Sequence, residues 1–197
     1  NHFDLPVDAL GILRTDHPHY YRGKLGEETE VEFVDRIVGN LEAMILREGP
    51  DTIAAFIAEP ITGASGVIVP PEGYYQKVQA VLNRYDIMFW ADEVITGFGR
   101  TGSDFGCNTM GIESPDMMTF AKQLSSAYMP ISASAINREM YTAMIEQTAT
   151  AGAFGHGYTY SGHPVACAVA LKVLEIYQRD SIFEKAAVTG QYMQKRL

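Results

Sequence analysis

The sequence predicts an α/β protein with a mostly parallel sheet flanked by helices, and three observations lead to that prediction. Short, nearly continuous apolar runs alternate with longer segments whose apolar residues recur at helical spacing. The runs at 52–58 and 87–91 are nearly free of polar residues, as strands buried inside a parallel sheet are, and each is followed directly by an acidic residue. The chain is 47% hydrophobic and 20% charged, which supplies enough core for helices to pack on such a sheet.

The first part of the chain predicts a loop and one long helix. Residues 1–28 show no sustained period, so we expect a loop with at most one short strand. Thr29 and Glu32 have the spacing of a capping box, which predicts a helix that starts there and runs to about Arg47. The Gly-Pro pair at 49–50 then ends this helix.

Two predicted strands enclose a helix in the next part of the chain. Thr52–Ala58 is short and almost entirely apolar, which predicts a strand buried on both faces. Tyr74–Arg84 predicts a helix, with Pro71 suited to its first turn, and Ile87–Ala91 predicts the following strand. Parallel sheets are built from strand, helix and strand in this order.

The remaining elements continue this alternation to the end of the chain. We predict a Gly-rich loop at Thr96–Ser114, strands at Met117–Phe120 and Ile131–Ile136, and helices at Arg138–Glu146, Pro164–Gln178 and Ile182–Leu197. A boundary near 179–180 divides a large domain, residues 1–179, from a helix at 180–197 that leads into a second domain. The chain starts without Met and stops within a helical pattern, so we expect a piece of a longer protein, incomplete at both ends.

Charge and cysteine content exclude several classes of function. The net charge of −9 and the pI of about 5.0 argue against a nucleic-acid partner. No apolar run approaches the roughly 18 residues of a membrane span. Cys107 and Cys167 predict free thiols in a reducing compartment, the cytoplasm. His17 and His19 lack a third ligand nearby, so no metal site is expected.

Side chains of opposite charge directly follow two of the predicted strands. The run that ends at Ala91 is followed by Asp92 and Glu93, and the run that ends at Ala121 is followed by Lys122. The carboxyl ends of parallel strands meet at one edge, where ligands of open α/β sheets bind. A lysine there can form an imine with an aldehyde cofactor, and a carboxylate can hold a protonated ring nitrogen. This layout indicates pyridoxal phosphate chemistry.

The alternation of side chains along a strand refines this hypothesis. Asp92 and Val94 share one face and Glu93 points away, so the acid can meet a ring nitrogen while the isopropyl group packs on the ring. A plain strand end and a magnesium site are the alternatives. A magnesium site of the nucleotide-binding type would need a phosphate-binding loop as well, and the chain contains no G-x-x-x-x-G-K-[ST] motif.

Four sequence blocks carry a family resemblance. They are AEPITGASGVIVPPEGYY at 58–75, ADEVITGFGRTG at 91–102, TFAKQLSSAYMPISA at 119–133 and GHGYTYSGHPVACAVAL at 155–171. Together, in this order, they resemble the class III pyridoxal-phosphate aminotransferases of fold type I, over essentially the whole chain. The resemblance implies that the chain forms part of the large, cofactor-binding domain of that fold, incomplete at both ends.

The resemblance also assigns roles to the residues at the strand ends. Lys122 corresponds to the lysine that forms the internal aldimine and moves the proton between the substrate carbon and the cofactor. Asp92 corresponds to the residue that keeps the pyridine nitrogen protonated, and Val94 to the residue stacked on the ring. Without the resemblance, Lys122 would be expected to be a solvated surface lysine.

Three further residues are assigned to the cofactor by the resemblance. Thr159 corresponds to the threonine that reaches the cofactor phosphate of the neighbouring subunit, which implies a homodimer, and Tyr158 beside it is a second cofactor contact. A capping hydroxyl for the helix at Pro164 is the alternative for Thr159. Glu59 matches a family Glu-Pro pair near the site, or else is a structural carboxylate bound to backbone amides.

The sequence departs from the family pattern in ways that bear on activity. The family's upstream phosphate-binding Gly-Ser pair, its upstream segment covering the ring and its C-terminal small domain are not in this chain, so we expect the isolated chain to bind the cofactor poorly. Ile95 and Thr62 stand where ornithine-type members have Gln. This favours the branch that moves amino groups from ω-amino acids or amines to pyruvate.

The resemblance therefore implies an aminotransferase acting on small-molecule amines and keto acids through Lys122. Two alternatives remain: an aminomutase or racemase using the same cofactor, and a non-catalytic fragment that keeps the fold. A nicotinamide dehydrogenase is the weakest candidate, because the glycine fingerprint of that class is missing.

Overall fold

The structure is a computed structural model that describes residues 11–197. Its sheet has four strands in the order β1 (Ala55–Ala58), β2 (Met88–Asp92), β3 (Met117–Phe120) and β4 (Ala133–Ile136). The first three strands are parallel, and β4 runs antiparallel to β3. The prediction of an α/β protein with a mostly parallel sheet is therefore confirmed.

The helices of the described residues are α1 (Tyr20–Gly23), α2 (Glu30–Glu48), α3 (Tyr74–Arg84), α4 (Gly106–Met110), α5 (Arg138–Ala151), α6 (Pro164–Arg179) and α7 (Ile182–Gln194). The main core lies between the sheet and the layer formed by α2 and α3. Phe89 and Ala91 of β2 are buried in this core, whereas Trp90 and Asp92, which alternate with them, are only half-buried. One face of the sheet is thus tightly packed, and the other is more open.

The start of α2 has the predicted capping box. The N–H of Glu32 donates to Thr29 Oγ1 at 3.3 Å, and the N–H of Thr29 donates to Glu32 Oε2 at 2.9 Å. These two bonds satisfy backbone donors that a helix start leaves without partners. The helix ends at Gly49, whose φ of 92° favours glycine.

Several predicted boundaries agree with the structure, and others shift. The helix Tyr74–Arg84 and the strand Met117–Phe120 have the predicted bounds. Pro71 lies outside its predicted helix, because α3 starts only after Gly73. The strand predicted from Thr52 starts later, because a 3₁₀ turn at Pro50–Thr52 occupies its first residue.

Three structural predictions were wrong. Of residues 1–28, the first ten lie outside the described residues, and the rest contain α1 rather than a strand. The loop predicted at Thr96–Ser114 contains α4. Strand β1 is not buried on both faces: it lies at an edge of the sheet, and its Ile57 points away from the α2–α3 layer and is 55% exposed.

Helix length and side-chain clustering bear on membrane and metal binding. Among residues 11–197, every helix is too short or too polar to cross a membrane. In the same part of the chain, no group of three or more His, Cys, Asp or Glu side chains is arranged to hold a metal ion.

Candidate active site

The carboxyl ends of β1, β2 and β3 lie at one edge of the sheet. Asp92 is the last residue of β2, whereas Glu59 and Lys122 lie just beyond the ends of β1 and β3. Asp92 is the register partner of Thr119, and the N–H of Glu93 donates to the Thr119 carbonyl at 3.0 Å. Lys122 follows Thr119 by three residues and lies just beyond the end of β3. Acid and amine therefore leave neighbouring strands at the same end.

The register also places Asp92 on the more open face of the sheet. The indole N–H of Trp90 donates to Thr119 Oγ1 at 2.5 Å, so these two side chains share a face. Asp92 follows Trp90 by two residues and lies on that face as well, while Glu93 points to the opposite one. This is the arrangement that the alternation along the strand predicts.

The Asp92 carboxylate is held by its own loop. The N–H of Val94 donates to Asp92 Oδ1 at 3.0 Å, and both residues are half-buried. Within residues 11–197 the other oxygen, Oδ2, accepts no hydrogen bond, so it can receive a donor from a ligand. A protonated ring nitrogen is a donor of the required kind, and the chemistry of Asp92 therefore fits the pyridine ring.

Lys122 lies in a strained turn. It is the first residue of a 3₁₀ turn, Lys122–Leu124, and has a φ of 43°, in the left-handed region. Ser126 and Ala127 also have left-handed φ values, of 50° and 63°. Such conformations cost about 1–3 kcal/mol each and are commonly kept at functional sites. The exposed ammonium group forms no ion pair within the described part of the chain, so it is available for a ligand.

Glu93 is fully buried and anchors the loop that follows Asp92. Its carboxylate accepts from Thr96 Oγ1 at 2.6 Å, from the Gly106 N–H at 2.9 Å and from the Cys107 N–H at 2.7 Å. Burial, and then the neighbouring Glu93 carboxylate, raise the pKa of the Cys107 thiol above its usual range. This carboxylate was not among the predicted site residues, although the strand alternation indicated that it faces away from Asp92.

We expect Glu93→Ala to destabilise the whole protein by at least about 3 kcal/mol, because three buried donors lose their acceptor at about 1–3 kcal/mol each. Glu93→Gln should cost less, because one acceptor oxygen remains. Glu184→Ala, at an exposed glutamate of α7, is the control. Denaturant unfolding measures the difference, and equal stability of the two alanine variants would contradict this role for Glu93.

Glu59 makes the kind of contact that a structural carboxylate makes. Its Oε2 accepts from the Gly63 N–H at 2.9 Å, and its carbonyl accepts from the buried Tyr75 hydroxyl at 2.5 Å. Burial raises the pKa of Tyr75 above its usual range, so this hydroxyl stays protonated. The structural alternative for Glu59 is thus supported, and a contact with the cofactor stays a prediction.

Ile95 joins the loops that follow β1 and β2. A Cβ on Gly63 would lie 2.5 Å from Ile95 Cδ1, so the Ile95 side chain packs directly on the Gly63 backbone. The side chain at position 95 is therefore apolar and packed.

Thr159 and Tyr158 lie in the segment 152–163, and both are exposed. A turn forms there, in which the Ser161 N–H donates to the Tyr158 carbonyl at 2.9 Å. The capping alternative for Thr159 was wrong, because His163 is the N-cap of α6. Within residues 11–197 no hydrogen bond joins Thr159 to the loops of Asp92 or Lys122, so its cofactor contact stays a prediction.

A second concave surface is lined in part by the loop that follows β1. It is a cleft of about 360 Å³ lined by residues of the N-terminal loop, α1, α2 and the loop after β1, among them His17, His19 and Arg36. Burial lowers the pKa of His17. The cleft contains none of the residues predicted to carry chemistry.

Comparison with known protein families agrees with the geometry at the strand ends. A sequence model of the family described as aminotransferase class-III matches residues 12–197. The chain is 56% identical over 182 residues to the probable gamma-aminobutyrate transaminase 3, mitochondrial, of Oryza sativa subsp. japonica, covering 92% of this chain and 35% of that protein. It is 53% identical over 182 residues to gamma aminobutyrate transaminase 2 of Solanum lycopersicum, covering 92% of this chain and 39% of the relative.

Solved structures of similar proteins share the fold. A transaminase with L-ala has a TM-score of 0.94 and 52% identity, over 98% of this chain and 45% of that one. The omega transaminase from Pseudomonas jessenii in complex with PMP has a TM-score of 0.92 and 53% identity, over 96% and 41% of the two chains. The family resemblance and the fold predicted from the sequence are therefore confirmed, and the chain spans about a third of the rice relative, 35% of its length.

Proposed function

Because the chain belongs to the class III aminotransferases, we propose that it forms the central part of an enzyme that transfers an amino group from an ω-amino acid or amine to a keto acid such as pyruvate. The observation that carries this proposal is the pairing of Asp92 and Lys122 at adjacent strand ends, with one carboxylate oxygen and the ammonium available to a ligand. In this proposal residues 1–179 belong to the large domain, and residues 180–197 lead towards a second domain.

Class III aminotransferases use pyridoxal phosphate, and the residues at the strand ends fit that group. When bound, it supplies an aldehyde that captures amines and a ring that withdraws electrons from the bond being broken. We propose that Lys122 holds the aldehyde carbon, that Asp92 accepts a hydrogen bond from the ring nitrogen and that Val94 packs on the ring. Asp92 is half-buried on the open face of the sheet, and Val94 is half-buried in the turn that follows β2, which supports these roles.

The proposed mechanism rests on two proton positions. The carboxylate of Asp92, held by the Val94 N–H, keeps a proton on the ring nitrogen, because a charge-assisted hydrogen bond favours the protonated form. The amine of Lys122 takes the proton from the substrate carbon as a general base. As a general acid, it would then deliver that proton to the cofactor. Both tasks require fixed positions, which the strand register and the Glu93 anchor provide.

We further propose a homodimer in which Thr159 contacts the cofactor phosphate in the partner subunit's site, with Tyr158 beside it as a second cofactor contact. The segment that carries them exposes large aromatic side chains: Tyr158 is 76% exposed and Tyr160 is 80% exposed. Exposed apolar side chains clustered in one segment are typical of surfaces that another subunit covers. Glu59 is retained as a residue near the ring, since it follows the strand next to β2.

The apolar Ile95 supports the proposed donor class. Its packing on Gly63 leaves an aliphatic surface where a Gln side chain would offer hydrogen bonds. The relatives and structural neighbours described above bear the names of gamma-aminobutyrate and omega transaminases. We therefore propose donors whose amino group is at the end of a chain or on a simple amine.

For the compartment, we propose a reducing one, the cytoplasm. Cys107 and Cys167 are both free thiols, and Cys107 is buried. The rice relative is named mitochondrial. A second tomato relative, gamma aminobutyrate transaminase 3, is named chloroplastic. Imaging of the tagged whole protein tests the assignment, and an organellar signal would contradict it.

The proposed function is tested with the whole protein, pyridoxal phosphate, pyruvate and a panel of amines and ω-amino acids. We expect alanine to form in an amount equal to the donor consumed. A product that is an isomer of the donor, with no alanine, would show isomerase activity instead. The absence of any product across the panel would contradict the proposed function.

A further inference from the structure

The turn that carries Lys122 is strained and is contacted from outside by α6. Lys122, Ser126 and Ala127 all have left-handed φ values, and such residues persist only where the surrounding structure holds them. Within the turn the Ser125 N–H donates to the Lys122 carbonyl at 3.2 Å and the Ser126 N–H donates to the Gln123 carbonyl at 3.3 Å, so its own backbone bonds are long. Helix α6 adds contacts from outside the turn.

One side chain of α6, Tyr177, bonds to both sides of this turn. Its hydroxyl donates to the carbonyl of Gln123 at 2.9 Å and lies 2.6 Å from Ser126 Oγ. A tyrosine hydroxyl has one proton, so while it donates to Gln123 it accepts from Ser126. Gln123 directly follows Lys122, and Ser126 is the first of the two adjacent strained residues, Ser126 and Ala127. A single half-buried hydroxyl thus links the two strained parts of the turn.

The ring of Tyr177 extends this contact to the loop that follows Asp92. It packs against Phe183 of α7, with ring centroids 5.5 Å apart. A Cβ on Gly99 would lie 2.1 Å from Phe183 Cδ1, and a Cβ on Gly102 would lie 2.7 Å from Ala187 Cβ. Helix α7 therefore lies directly on the backbone of the glycine-rich loop after β2, at positions whose φ of 86° also favours glycine.

From these contacts we infer that Tyr177 is a positioning residue for the reaction: through its hydroxyl and ring it fixes the turn of Lys122 relative to the loop of Asp92. The inference rests on the proposed function, because it concerns the amine and the acid that serve one cofactor. Tyr177 itself is placed away from the reacting atoms and acts through the backbone of residues 122–127.

The test is Tyr177→Phe in the whole protein, which removes the hydroxyl and keeps the ring that packs on Phe183. We expect kcat to fall roughly ten- to a hundredfold, because small displacements of a catalytic group have effects of that size. The KM for the donor should change little, since Tyr177 is not placed against the substrate. Tyr192→Phe, at an exposed tyrosine of α7, is the matched control and should leave both constants unchanged.

Two readouts separate positioning from a general loss of folding. We expect the pH at which the absorbance band of the bound cofactor titrates to shift in Tyr177→Phe but not in Tyr192→Phe, because that titration senses where the amine and the acid lie. In the cofactor-free protein, amide hydrogen exchange in the peptide spanning residues 121–128 should be faster in Tyr177→Phe, because the turn has lost its support.

An unchanged band titration together with unchanged exchange in residues 121–128 would overturn the inference, whatever happens to kcat. So would a fall in kcat that matches the loss of folded protein. Failure of the proposed function is a separate result: the wild-type protein would then form no alanine, while the exchange measurement would still report whether Tyr177 holds the turn.

Discussion

Lys122→Ala is expected to lower the rate of amino transfer by the whole protein by about 10⁴-fold or more, because it removes both the covalent attachment point and the proton-transfer group. The ammonium forms no ion pair within residues 11–197, and it follows the strand next to that of Asp92. Alanine formation from pyruvate measures the loss. The control is Lys172→Ala, at an exposed lysine of α6 that pairs with Glu175.

A loss of folding is a competing explanation, and the backbone of Lys122 offers a way to test it. Its φ of 43° suits glycine better than any other residue, so Lys122→Gly relieves the strain of the turn. We expect Lys122→Gly to be at least as stable as the wild type and as inactive as Lys122→Ala. Retention of more than about a tenth of the activity by either variant would contradict the assigned role, since general acid–base groups contribute 10²-fold or more.

Asp92→Asn is expected to lower kcat by about 10²- to 10³-fold, the range seen when one preorganised electrostatic contact is removed from an active site. The amide keeps an oxygen for the Val94 N–H, so the loop should retain its shape. The second Asp92 oxygen becomes an NH₂ group, which donates hydrogen bonds and cannot accept one from a protonated ring nitrogen. The affinity for pyridoxal phosphate should fall as well, because a hydrogen bond to a charged group contributes about 1.5–3 kcal/mol.

The adjacent residue provides a matched comparison for Asp92. Glu93→Gln changes a carboxylate to an amide one position along, but on the opposite face and in the buried anchor of the loop. We expect it to affect stability more than cofactor affinity, and Asp92→Asn to show the reverse. Steady-state kinetics, cofactor titration and unfolding of both variants measure this difference. Equal loss of cofactor affinity in the two variants would contradict the assignment of Asp92 to the ring.

The sequence was sufficient to predict the parts of the site that depend on strand ends. Parallel strands bring their carboxyl ends together, so an acid after β2 and a lysine after β3 had to lie at one edge. The alternation along β2 was enough to place Asp92 and Glu93 on opposite faces. The helix at Tyr74–Arg84 was predictable because its apolar residues recur at helical spacing and Gly73 precedes it.

Other parts of the site depend on contacts that no local pattern reveals. Helix α4 has only five residues, and the backbone donors at its start bind the distant Glu93 carboxylate, so its position is set by tertiary contacts. The left-handed φ of Lys122 gives no sequence signal, since glycine is the residue that usually marks such positions. Tyr177 resembles an ordinary residue of a helical stripe, and only its hydrogen bonds to the turn distinguish it.

The measurement that tests the central claim most directly is a crystal structure of the whole protein grown with pyridoxal phosphate. It should show the Nζ atom of Lys122 bonded to the aldehyde carbon, and Asp92 Oδ2 accepting a hydrogen bond from the ring nitrogen on the face shared with Trp90. A ring bound elsewhere, or a ring nitrogen without contact to Asp92, would contradict it.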